Sequence, residues 1–423
     1  MQKEGQVRIP SGCAIVGTID RAGGPICGEE LIRAIAVMHD RSNGLGGGFA
    51  GYGIYPQYKE LYAFHLFYED SSAKEACERF LERHFDIVNL SKIPTRPHPR
   101  VTDAPLIWRY FMAPLPNKLE QSQLDEREYV RRCVTWVNTQ MKGAHVFSSG
   151  KNMGVFKAVG YPEDVGEFYR LEEYEGYAWT AHGRYPTNTP GWWGGAHPFA
   201  LLDYSVVHNG EISSYDANRR FIEMFGYRCT LLTDTEVITY IIDYLVRQQG
   251  LTMEEASNVM AAPFWTTIAQ QSPQRRERLT FLRQAFSSLL LTGPFSILVG
   301  FDGGLMALND RLKLRSMVLL HLRRTHGAYP APPVLRPHPQ HRQSLQAAVC
   351  HELNMKKRRP RPPVKMPLLL RRCAAQKSSL RLPESLHSKA SGAFDSIRGG
   401  RLSPRVPPPQ LERIHLNKGF LTS

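Results

Sequence analysis

Apolar residues recur over the first 318 positions in two rhythms, short unbroken runs and a spacing of three to four. The run Ala14-Ile15-Val16-Gly17-Thr18-Ile19 is short and β-branched, which predicts a buried strand over 14–19. Residues 28–38 carry Leu31, Ile32, Ile35 and Met38 at helical spacing, and 49–55 reads as a strand again. A separate unit is predicted over 61–145. Its strands fall at 61–67, 106–112 and 143–147, and its helices at 71–85, behind a serine cap, and 125–141. Two strand–helix alternations of this length suggest a ferredoxin-like α+β insertion. Beyond it, strands are predicted at 155–159, 177–182 and 206–208, and helices at 214–225, 236–247, 253–260 and 275–290. The runs 295–301 and 304–308 flank Asp302-Gly303, a strong hairpin signal. Mixed helices with enough strands for two sheets point to a layered α/β (α+β) domain.

Composition changes this picture only at the far end. The formal net charge of +14 suggests a nucleic-acid binder, but residues 319–423 hold 20 Lys and Arg against 4 Asp and Glu, and the first 318 hold 33 against 35. The globular part is therefore near neutral. Seven cysteines (13, 27, 77, 133, 229, 350 and 373) are scattered, with no CxxC pair, which argues against a disulfide framework, a zinc ribbon or an iron–sulfur cluster held by this chain alone. No apolar run of about 18 residues exists, so no membrane span is expected. Residues 1–12 lack the apolar core of a secretory signal. A cytoplasmic, reducing setting fits, and it would keep a thiol usable.

The candidate chemistry lies in four blocks. Cys13 opens the first predicted strand, and a thiol of ordinary pKa about 8.5 needs only a modest push toward thiolate. If Cys13 became the first residue, its own α-amine, pKa roughly 7.7–8.0, could act as the base. Alone, such a cysteine reads first as a small buried hydrophobe at a strand start. Arg184, in Gly183-Arg184-Tyr185-Pro186-Thr187-Asn188-Thr189, offers planar donors for a carboxylate. His208-Asn209-Gly210-Glu211-Ile212 follows an apolar run. Asn209 brings an amide donor and Gly210 a backbone N–H without a Cβ, although Asn-Gly is also a common turn. Asp234, in Thr233-Asp234-Thr235-Glu236, could hold an amino group or simply cap the helix that follows. The cluster Gly44-Leu45-Gly46-Gly47-Gly48 lacks the Gly-Lys-Ser/Thr ending of a phosphate loop. It reads as a tight turn where the backbone passes close to other atoms.

In this order the blocks, together with Cys13-Ala14-Ile15-Val16-Gly17 and Val155-Phe156-Lys157-Ala158-Val159-Gly160, resemble the class II glutamine amidotransferases of the N-terminal-nucleophile hydrolase superfamily. Within these they are most similar to the amidotransferase domain or subunit of glutamate synthase. The resemblance runs from Cys13 to about Met317 and is thinnest over 61–145; Gly293-Pro294-Phe295-Ser296-Ile297, Ala307-Leu308-Asn309-Asp310-Arg311 and Leu314-Arg315 are similar to the family's late strands. It implies a four-layer αββα sandwich over 13–318. It implies that Cys13 attacks the glutamine side-chain amide through a thioester once a 1–12 leader is lost. Asn209 and Gly210 would form the oxyanion hole, Arg184 would bind the α-carboxylate and Asp234 the α-amine. The ammonia would pass to a synthase site. No flavin barrel or cluster motif follows in this chain, which implies no cofactor here and a separate synthase subunit of flavin and iron–sulfur type as partner. One departure is Ala14, where the family usually has glycine.

At residues 317–318 the pattern breaks in mid-motif. Residues 319–423 hold 14 of the 30 prolines and 7 of the 15 histidines, without sustained periodicity. Three readings compete: a basic disordered arm centred on Lys356-Lys357-Arg358-Arg359, a linker, or translation out of frame. The break inside a motif favours the last, which would leave the core with an unpaired sheet edge. Nucleic acid is accordingly not an expected partner. The competing functional reading is a non-catalytic binding module of degenerate amidotransferase fold, reaching nucleic acid through its tail.

Overall fold

A computed structural model describes residues 12–186, 191–322 and 347–351. Residues 1–11 of the expected 1–12 leader, Thr187, Asn188 and Thr189 of the Arg184 block, and the basic Lys356-Lys357-Arg358-Arg359 cluster lie outside the described residues. Of the two units into which the chain divides, Met1–Lys356 and Lys357–Ser423, only the first contains described residues.

The predicted first strand is β1 (Ala14–Asp20), buried along its whole length. A two-residue strand β2 (Ile26–Cys27), α1 (Gly28–Ala36) and β3 (Gly47–Tyr52) follow. Next comes the inserted unit: β4 (Tyr62–Tyr68), α2 (Ser71–His84), β5 (Phe85–Lys92), β6 (Leu106–Pro114), α3 (Pro116–Ser122), α4 (Glu126–Gln140) and β7 (Ala144–Ser148). The chain then continues through β8 (Met153–Ala158), α5 (Pro162–Phe168), β9 (Glu175–Gly176), β10 (Ala178–Gly183), β11 (Phe199–Leu201), β12 (Tyr204–Gly210) and α6 (Tyr215–Glu223). After it come α7 (Asp234–Ile242), a π-helical turn (Asp243–Gln248), α8 (Met253–Met260), α9 (Trp265–Ala269), α10 (Pro273–Ala285), β13 (Phe295–Phe301), β14 (Gly304–Asn309), β15 (Val318–Leu322) and β16 (Ala347–His351).

Two sheets stack face to face. One has the order β15-β16-β1-β10-β3-β8 and the other β11-β12-β13-β14. Ile15, Val207 and Leu298 fill the space between them. The approach is close at Gly17, where a Cβ would lie 3.0 Å from both Leu298 and Leu305. Helices α1 and α5 cover the outer face of the first sheet, and α7 covers β11 and β12 of the second, with α6 against it. This is the αββα arrangement, and the β13–β14 hairpin turns at Asp302-Gly303 as its sequence predicts.

The insertion's sheet has the order β5-β6-β4-β7 with every neighbouring pair antiparallel. With its helices this is the βαββαβ topology of a ferredoxin-like unit. Strand β4 is buried on both faces. Phe64, Leu66 and Tyr68 meet the insertion's own helices, and Ala63 and Phe67 meet the sandwich. Strand β5 is one of the elements that periodicity misses. It is an edge strand with Asp86, Asn89 and Ser91 among its residues, so its apolar signal is weak. A charged network docks α4 on the π-helical turn. Glu128 receives Arg131 (2.6 and 2.9 Å) and Arg132 (2.9 Å), and also Arg247 (3.0 Å). Arg247 in turn donates to both oxygens of Asp243, at 2.7 Å each.

Part of the 319–423 segment enters the fold. Strand β16 pairs in parallel with β1, and β15 with β16, so the sheet edge expected to be unpaired is occupied.

Candidate active site

Strand register places the candidate residues at one end of the sandwich. Ala14 pairs with Gly183, so Cys13 and Arg184, one residue beyond each, leave the sheet side by side. The Tyr185 N–H donates to Cys13 Sγ at 3.4 Å. Successive side chains on a strand point to opposite faces. Ile15 lies between the sheets, and Cys13, two positions earlier, takes the same side. On β12, Val207 also lies between the sheets, so Asn209 faces the first sheet and His208 faces α7. His182 Nε2 donates to the His208 carbonyl at 2.9 Å and ties β10 to β12 at this level.

Each residue is held by a local cause. Arg184 is buried, its N–H bonded to Gly46 O (2.8 Å) and its carbonyl accepting from Ser42 Oγ (2.9 Å). Arg41 Nε donates to the Cys13 carbonyl at 3.2 Å, and the Gly12 N–H to Arg41 O at 3.3 Å. Gly210 pairs with Phe295, and a Cβ on it would run into the Pro294 carbonyl, so only glycine fits. Asp234 is the first residue of α7 rather than its cap. Thr233 is the cap, accepting from the Thr235 N–H at 3.3 Å, which leaves the Asp234 carboxylate to other partners. It accepts from the Ile212 N–H (3.2 Å) and Thr235 Oγ1 (3.1 Å) and lies 3.3 Å from His208 Nδ1.

The electrostatics follow. Burial pushes the Cys13 thiol above its ordinary value. The Tyr185 N–H and Arg184 oppose that, Asp234 adds to it, and Arg41 acts against it. With Gly12 still joined to its nitrogen, this thiol is protonated at neutral pH. Burial works to raise Asp234 as well, but His208 and the Ile212 and Thr235 donors outweigh it and hold the carboxyl below its usual range. Asn209 is 1% exposed, and its Nδ2 has no hydrogen-bond partner among the described residues. The arrangement therefore combines a thiol, an unused amide donor, a buried guanidinium and an anionic carboxylate.

Pattern reading did not single out Arg41, Ser42, His182, His197 or Thr235. The one available signal was Arg41-Ser42 directly before the glycine cluster, where a polar pair enters a close-packed turn. That cluster does bring backbones together: a Cβ on Gly48 would strike the His197 carbonyl.

A family model for glutamine amidotransferases class II matches residues 62–316. The fold is that of an N-terminal-nucleophile hydrolase. The chain belongs to the class II glutamine amidotransferases. An uncharacterized protein of Archaeoglobus fulgidus is 50% identical over 306 residues, 72% of this chain and 81% of its own length. The glutamine–fructose-6-phosphate aminotransferase (isomerizing) of Sulfurisphaera tokodaii is 34% identical over 24% of this chain, and the amidophosphoribosyltransferase of Methanocaldococcus jannaschii 27% identical over 38%. The matched parts are only 17% and 30% of those two proteins. A solved glutamine phosphoribosylpyrophosphate amidotransferase from B. subtilis aligns over 38% of this chain and 30% of its own, at 16% identity and a TM-score of 0.26. No helix among the described residues is long and apolar enough to cross a membrane.

Proposed function

We propose that this chain is a glutaminase subunit that frees ammonia from the glutamine side chain. Cys13 Sγ attacks the amide carbon while its proton passes to the cysteine's own α-amine, available once residues 1–12 are removed. The carbonyl oxygen becomes an oxyanion accepting from Asn209 Nδ2 and the Gly210 N–H. Collapse breaks the C–N bond, and the α-ammonium returns the proton to the departing ammonia. Water then hydrolyses the thioester to glutamate and restores the thiol. Arg184 binds the α-carboxylate and Asp234 the α-amine.

One observation carries this reading. Cys13 and Arg184 leave paired strands side by side, the Tyr185 N–H bonds Cys13 Sγ at 3.4 Å, and the Asn209 amide donor on the facing sheet has no partner among the described residues. The test is glutamine hydrolysis by the chain beginning at Cys13. Cys13→Ala is expected to lower it by a factor on the order of 10³ or more; unchanged hydrolysis overturns the reading. Intact mass of the natively expressed protein shows whether the chain begins at Cys13.

The ammonia acceptor we assign to a separate flavin and iron–sulfur synthase subunit of glutamate-synthase type, in the cytoplasm; this finer assignment rests on motif resemblance alone. Co-purification of such a subunit with glutamine-dependent glutamate formation tests it. The competing non-catalytic reading draws on the Gly12–Cys13 peptide bond, which keeps the proposed base occupied. It predicts a natively retained residue 12 and no glutaminase activity.

A further inference from the structure

Residues 191–197 form a strap between β10 and β11 that the proposed chemistry does not use. Trp193 is buried, its ring 5.7 Å from Phe67 of the insertion and 5.8 Å from Phe168, both edge-on. The Trp192 ring folds over Gly194 and Gly195, where an added Cβ would strike it, and its centroid lies 6.1 Å from that of His145 on β7. The strap's other end faces the site. A Cβ on Gly46 would lie 3.3 Å from Ala196 and 3.1 Å from Arg184, so these two side chains converge there. His197 Nε2 is 2.8 Å from Thr235 Oγ1, whose hydroxyl donates to Asp234. One short segment thus joins the insertion to both proposed glutamine-binding residues.

Lys157 of β8 fastens it. This side chain is 1% exposed, its Nζ donates to the Gly194 carbonyl at 2.8 Å, and it lies over the rings of Phe199 (4.7 Å) and Phe147 (6.0 Å). Among the described residues it enters no ion pair. Its charged neighbours are Glu236 of α7 and Arg184, with the imidazoles of His145 and His197 nearby. Glu236 is already occupied by the Thr230 and Leu231 N–H groups and the Tyr240 hydroxyl. One carbonyl and two ring faces compensate only part of the hydration an ammonium loses on burial. Burial accordingly lowers Lys157 to about 7. For stability alone an apolar side chain would serve this position better.

We propose that Lys157 is a positioning residue. By holding Gly194 it presses the strap against Arg184 and Asp234, and so makes glutamine binding depend on how the insertion is docked. The proposal deepens the glutaminase reading and rests on it for its kinetic part.

The test compares the full chain with Lys157→Met and Trp192→Leu by hydrogen exchange, thermal melting and glutaminase kinetics. In Lys157→Met the amides of 184–186 and 191–197 are expected to exchange about tenfold faster, with the sandwich strands unchanged and the melting temperature equal or higher. KM for glutamine is expected to rise on the order of tenfold, with kcat altered less than about twofold. Trp192 is 43% exposed, so Trp192→Leu folds and shows the same pattern in smaller measure. Unchanged exchange in these segments overturns the proposal; if Lys157→Met does not fold, Trp192→Leu decides by the same criterion. Faster exchange with KM unchanged in an active enzyme also overturns it. Faster exchange in a chain whose wild type hydrolyses no glutamine retains the strap and removes the glutaminase reading.

Discussion

In the insertion, Asn138 of α4 donates to the Val146 carbonyl (2.9 Å) and accepts from the Val146 N–H (2.7 Å). Tyr68 donates to Tyr110, which donates to Glu78, and His84 Nδ1 is 2.6 Å from the Tyr129 hydroxyl. Among its described side chains only Trp108 Nε1 and Arg127 Nε are buried without a partner. The Cys13 end of the sandwich is different. His182 Nδ1, His197 Nδ1, His208 Nε2, Asn209 Nδ2 and Ser296 Oγ are all buried there without one among the described residues. Buried polar groups are paired in most native structures because an unmade hydrogen bond costs free energy. A region that satisfies nearly all of its groups draws stability from them, whereas a cluster left unmet forgoes that stability and keeps donors and acceptors open.

That contrast breaks or sharpens under four substitutions. Glu128→Ala leaves buried Arg131 without its carboxylate, Arg247 keeping Asp243, and is expected to cost about 3–5 kcal/mol of stability, read by denaturant unfolding. Activity per folded molecule should stay unchanged. Its arginine partners overcome burial and hold Glu128 down at about 2, against an ordinary 4.5. Its contribution is therefore complete above pH 4.5 and lost as pH falls toward 2, so the variant's acid unfolding limb should be flatter. Asn209→Ala reverses the pattern. Glutaminase kcat should fall roughly 10²–10³-fold while the melting temperature holds or rises, because the lost donor bonds no protein atom among the described residues.

If Asp234 holds the substrate amine as proposed, Asp234→Asn should raise KM about 10–100-fold with stability little changed. Because Asp234 is held below its ordinary range, wild-type KM should stay flat through the usual carboxylate pH range and climb only beneath it. The smallest effect is expected for Asn138→Ala, about 1–3 kcal/mol of stability with no change in KM. A loss of activity there at full stability would dissolve the distinction between the two regions.

Cys13, Arg184, Asn209, Gly210 and Asp234, which gather at one end of the sandwich, were legible as candidate chemistry because their blocks are contiguous. The strap, Lys157 and Arg41 were not. Lys157 sits within an apolar strand and meets Gly194 37 residues later, and Arg41 meets Cys13 across 28, and such pairings leave no local period. Short elements were lost for a related reason. Helix α5 has seven residues and β11 three, too few to show a rhythm against polar neighbours. The predicted helix 236–247 is divided between α7 and a π-helical turn, because Asp243 and Arg247 are committed to the Glu128 network where the winding widens.

Strand β1 has a neighbour on each side, β10 antiparallel and β16 parallel. Remove β16 and the strand that leads out of Cys13 becomes a row of open backbone donors and acceptors. Any extended chain of suitable length could then add itself there, a second copy of the same protein included. The order of events in the cell would matter: a molecule that freed Cys13, as proposed, before seating β16 would present a thiol beside an adhesive border.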